Sequence, residues 1–82
     1  MKNPALNNAI LKILSRIETG LKEKTLQAET ELAMDRPQLT TDEFADALNF
    51  LEDKALIDKW TNLLGDTVWG ITDMGRSALK GL

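Results

Sequence analysis

The sequence contains neither cysteine nor histidine. Their absence removes the commonest general base, the commonest zinc ligands and the thiolate nucleophile together. Ser15 and Ser77 have no lysine relay beside them, and no glycine-rich phosphate loop is present. Carboxylates spaced one helical turn apart usually face solvent rather than a substrate. The chain therefore reads as a non-enzymatic domain with no metal and no cofactor. The row of acidic residues described below also lacks the Asp-x-Asp-x-Asp-Gly loop that fixes calcium ligands. No apolar run approaches the roughly 18 residues a membrane span needs, and none follows a basic segment at the amino end. These absences lead us to expect a cytoplasmic protein that meets no membrane. Basic charge is scarce as well: 10 lysines and arginines face 13 aspartates and glutamates, for a net charge of −3. That acidic balance is the opposite of the one expected of a dedicated nucleic-acid binder.

What is present is an ordinary globular mixture. Hydrophobic residues make up 43% of the chain, enough for a folded core rather than a disordered segment. At 82 residues one domain spanning 1–82 is the expected count, with so small a core that dimerisation would add useful burial. Asn3 and Pro4 suit a helix start, and Leu6, Ala9, Ile10, Ile13, Leu14 and Ile17 recur at helical spacing until Gly20. This predicts a first helix over about 4–19, with Asn7 on its polar side and Leu11 off the apolar stripe. A charged connection, Lys22 to Lys24, leads to Thr25 as the cap of a second helix over about 25–35, its inner stripe Leu26, Glu29, Leu32 and Ala33. Pro37 ends it, because the residue before a proline is pushed out of the helical region.

Thr40, Thr41, Asp42 and Glu43 match a capping box, and Phe44, Ala47, Leu48, Leu51 and Ala55 share one face of a third helix over about 41–54. From Ile57 the pattern becomes strand-like and predicts a hairpin over about 57–72. A two-residue turn at Gly65 and Asp66 would pair Leu64 with Thr67, Asn62 with Trp69 and Trp60 with Ile71. Trp60, Leu64, Trp69 and Ile71 would then share the inner side, with both tryptophans in the core. Leu11, Leu63 and Val68 are left as exposed apolar residues, and in the sharper reading as a homodimer or partner contact. Asp73 would cap a short last helix over about 73–80, on which Met74 and Leu79 are available to pack. The fold class expected is α+β, mainly α.

The segment Trp69 to Leu79, WGITDMGRSAL, resembles the wing-exit signature of MarR-like and PadR-like bacterial or phage regulators, in which a strand ends in Leu or Ile, then Thr, and runs on to Gly-Arg. Ala55-Leu56-Ile57 is similar to their Gly-Leu-Ile step from recognition helix into wing. The resemblance implies a winged helix-turn-helix: a three-helix core, a two-stranded β-hairpin wing and a short C-terminal helix. It also implies a homodimeric DNA-binding transcription regulator that inserts its third helix into the major groove of double-stranded DNA. Arg36, Gln38, Thr40, Thr41 and Lys59 are the residues placed to meet phosphates or bases.

The chemistry of the third helix points elsewhere. Its outer side carries Asp42, Asp46, Asn49 and Asp53, and duplex DNA, with one negative charge per roughly 1.7 Å, would repel that row. Residues 1–24 hold five basic and two acidic side chains, whereas residues 25–82 hold five basic and eleven acidic ones. The alternative to a DNA-binding regulator is therefore a winged-helix interaction module whose acidic third helix docks a basic protein partner.

Overall fold

A computed structural model of the chain describes residues 4–35 and 39–81. In chain order they form α1 (Pro4–Ser15), β1 (Leu21–Lys22), α2 (Glu23–Met34), α3 (Thr41–Asp53), β2 (Ile57–Thr61), β3 (Thr67–Ile71) and α4 (Asp73–Lys80). The fold is α+β and mainly helical, with a three-stranded antiparallel sheet in the order β1-β3-β2. A shared core of Leu6, Ile10, Leu14, Leu26, Phe44, Leu48, Leu51, Ile57 and Trp69 joins the helices to the sheet.

α1 lies at the centre and packs against α2, α3, α4 and β3. With neighbours on so many sides its buried arc is wider than one stripe. Leu11, read from periodicity as off the stripe, is only 3% exposed, and Asn7 one turn earlier is buried with it. The helix also ends four residues before the expected 19. Arg16 and Ile17 tighten the last turn through amides donated to Ile13 and Leu14, and the Arg76 guanidinium donates to the Ser15 carbonyl at 3.0 Å. Gly20, at φ +79°, then reverses the chain into β1, a strand where the sequence suggested only a charged connection.

α2 starts at Glu23 after a Lys22 cap whose side chain makes no capping bond, so Thr25 lies inside the helix rather than capping it. Its inner stripe is Leu26 and Thr30, with Met34 packed partly behind them. Glu29 and Ala33 are exposed, and Leu32 is 78% exposed, so the expected stripe is rotated. Thr30 can replace an apolar residue because its hydroxyl donates to the Leu26 carbonyl at 2.7 Å, which satisfies the polar atom within the helix. Asp35 closes α2 in the left-handed region at φ 53°, two residues before Pro37, which lies outside the described residues.

α3 begins as its capping box predicts: Thr40 Oγ1 accepts from the Glu43 amide at 3.0 Å. Phe44, Ala47, Leu48 and Leu51 are buried, as their spacing requires. Ala55 does not share that face. It stands exposed beyond the helix at φ 61°, where its amide returns to Glu52 and the Leu56 amide reaches back to Leu51. This pair of bonds closes a helix on a left-handed residue, a position usually given to glycine.

The hairpin differs from its expected register. β2 and β3 pair Ile57 with Ile71, Lys59 with Trp69, Trp60 with Val68 and Thr61 with Thr67. Relative to the two-residue turn the strands are displaced by three residues, and an odd displacement exchanges the faces. The cause is Asn62. Its Oδ1 accepts from the Leu64 and Asp66 amides, both at 3.0 Å, while its own amide donates to the Asp66 carbonyl. Such a side-chain turn holds a loop over 62–66 and turns Leu63 and Leu64 outward. Ile57 and Trp69 therefore face the core, whereas Trp60 and Val68 lie on the other face. Val68 is nonetheless buried, so of the three apolar residues read as exposed only Leu63 is. Trp60 is 41% exposed and lies across Gly20 and Gly70, where a Cβ on Gly70 would overlap the indole ring.

α4 covers the residues expected, but its cap is Thr72 rather than Asp73. Thr72 Oγ1 accepts from the Gly75 amide and donates to the carbonyls of Ala55 and Leu56. That clamp draws α4 onto the turn after α3, so closely that a Cβ on Gly75 would overlap the Leu56 carbonyl oxygen and stand 2.7 Å from Ile71 Cγ1. Leu79 packs against the core, while Met74 is largely exposed.

Candidate interaction surface

Two solvent-facing surfaces lie on elements that the sequence marks, α3 and the hairpin. The first is the outer side of α3. Because Phe44, Leu48 and Leu51 fix which side of the helix is buried, Asp42, Asp46, Asn49 and Asp53 are all held toward solvent. Successive steps of four, three and four residues place them in one stripe, about 16 Å long at 1.5 Å per residue. None of the three aspartates has an ion-pair partner among the described residues. Nor do any three acidic groups among those residues converge as metal ligands do.

The second surface is the hairpin tip. Leu63 and Leu64 are 106% and 86% exposed, and the Asn62 bonds hold their loop in one shape. Gly65 supplies the required left-handed residue at φ +84°, and Lys22 on β1 pairs with Asp66 at 3.2 Å. Sequence reasoning placed Leu64 inside. The signal it missed was Asn62, whose side chain can accept from amides two and four residues on.

The residues expected to touch DNA do not gather into a basic patch. Arg36 and Gln38 lie outside the described residues. Thr40 is engaged as the helix cap, Thr41 is the exposed first residue of α3, and Lys59 lies on β2. The Lys59 ammonium sits 5.3 Å from the centroid of the Trp69 ring, an attraction that keeps it on the hairpin. The described cation nearest the acidic stripe in sequence, Lys54, stands 5.7 Å from the centroid of the Phe50 ring. No helix among the described residues is long and apolar enough to cross a membrane.

The chain matches no protein-family model, no curated protein and no solved structure.

Proposed function

We propose that this chain is a winged-helix interaction module that docks a basic protein surface through the outer side of α3. One observation carries the reading: Asp42, Asp46, Asn49 and Asp53 line the solvent side of the helix that a DNA-binding winged helix would lay in the major groove. A row of carboxylates there opposes phosphates and favours lysine and arginine, since complementary charge steers encounter and fixes register. The apolar tip at Leu63 and Leu64 supports the same choice, because a wing that follows a DNA backbone needs cations at its end.

An NMR titration of the full chain with an arginine-rich peptide tests it. Amide shifts should concentrate on residues 42–53, and the combined variant Asp42→Asn, Asp46→Asn, Asp53→Asn should weaken binding about tenfold or more, since each close charge pair is worth up to about 1 kcal/mol at an exposed site. Shifts scattered over other surfaces, or an unchanged affinity in the variant, overturn the assignment of the site.

A DNA-binding transcription regulator is the second reading. The order of three helices followed by a hairpin and a short helix favours it, together with Thr41 exposed at the amino end of α3. It requires Arg36, Gln38 and Lys59 to supply the phosphate contacts, and charge reversal at Arg36 or Lys59 should then abolish duplex binding.

A further inference from the structure

β2 is an edge strand: the sheet order is β1-β3-β2, and Asp58, Lys59, Trp60 and Thr61 are all exposed. The direction of its backbone groups follows from the loop. The Asn62 amide bonds to Asp66, so alternation along an antiparallel ladder turns Trp60 and Asp58 toward β3 and the peptide groups of Lys59 and Thr61 outward. The Lys59 amide agrees, since it is taken by the Asp58 carboxylate at 2.8 Å. An outward row of peptide groups is a template for another strand.

We propose that this edge pairs with the same edge of a second copy, antiparallel about a two-fold axis at Trp60, joining two sheets into one of six strands. Charge selects the register. An axis at Asp58 sets two carboxylates face to face, and an axis at Lys59 sets two ammonium groups face to face. An axis at Trp60 opposes the two indole rings, sets Lys59 against Thr61 and Asp58 against Asn62, and brings Leu63 level with Ile57 of the second copy. Moving the axis on to Thr61 leaves Thr61 as the only residue of β2 paired within the strand, with every other pair falling in the 62–66 loop, whereas the Trp60 axis pairs Lys59, Trp60 and Thr61 within it. In the Trp60 register Lys59 and Thr61 exchange hydrogen bonds across the axis, with the Thr61 carbonyl of one copy replacing Asp58 at the Lys59 amide of the other. Asp58 is thus a competitor for the edge.

The area sets the strength. Two short strands, two half-exposed tryptophans and the leucines at both ends cover on the order of 1,000 Å², at the low end of specific interfaces. The association is weak and depends on concentration. It is independent of what α3 binds.

Sedimentation equilibrium of the full chain, from about 10 µM to about 1 mM, reads the dimer directly. The weight-average mass should climb from the 9.1 kDa monomer toward twice that value. Thr61→Pro removes an outward amide while sparing the ladder to β3, and should stay monomeric. Thr61→Lys places a lysine against Lys59 of the second copy, keeps the backbone intact, and should also stay monomeric if the proline variant loses its hairpin. Asp58→Ala frees the Lys59 amide and should lower the midpoint concentration by about threefold or more, the scale of one modest hydrogen bond. A wild-type chain that stays monomeric throughout overturns the proposal and leaves the edge to an extended strand of another protein. So does dimerisation undiminished in both Thr61 variants, or a midpoint unmoved by Asp58→Ala.

Discussion

At the scale of single residues, the turn between α3 and β2 and the start of α4 act as one unit. Ala55 occupies the left-handed position at the end of α3 at φ 61°, where an L side chain crowds its own carbonyl. Glycine relieves that crowding but enlarges the entropy of the unfolded chain, and the relief outweighs the entropy. Ala55→Gly should therefore stabilise the fold by about 0.5–1 kcal/mol in urea unfolding. Gly75 is the opposite case. In a helix, alanine normally gains nearly 1 kcal/mol over glycine, yet here the added methyl meets the Leu56 carbonyl, which is backbone and cannot swing away. Gly75→Ala should instead destabilise by about 1–3 kcal/mol, visible as a lowered thermal midpoint. Arg76, which the resemblance to regulators also singles out, donates to the end of α1. The Thr72, Gly75 and Arg76 positions of that short motif thus have structural work that accounts for them without DNA. Sequence alone could mark these residues but not assign them, because Thr72 and Gly75 meet Ala55 and Leu56, and Arg76 meets Ser15, across long stretches of chain.

At the scale of elements, what was legible depended on whether one periodicity ruled a segment. α3 was readable in its start, its buried face and its outer stripe, since a capping box and a regular apolar spacing agree there. α2 was misread because Thr30 fills a core position with a polar residue that satisfies itself. The hairpin was located correctly and registered wrongly. Alternation specifies a face only after the turn is known, and the turn is set by Asn62 rather than by Gly65 and Asp66 alone. Asn62→Ala removes both side-chain bonds, and the cost should be about 1–2 kcal/mol. Amide exchange at Leu64 and Asp66 should quicken well beyond that of Trp69, whose strand is paired on both sides. Equal quickening along the whole of β3 would mean that the loop does not hold the register.

For the whole molecule, the decisive property is how charge is distributed over the fold. The stretch 25–82 carries the acidic excess, and α3 turns part of it outward as a stripe. A resemblance to winged-helix regulators supports function only by analogy, and topology alone does not select a ligand. Surface chemistry does, because non-specific affinity for duplex DNA is set almost entirely by the cations a protein presents. The most direct test is fluorescence anisotropy of a labelled generic duplex, titrated with the wild-type chain at about 20 mM salt and again at about 150 mM. Docking of a basic protein through α3 predicts no measurable binding at either salt. Micromolar or tighter binding at low salt that falls steeply at the higher one would contradict it and establish DNA as the partner.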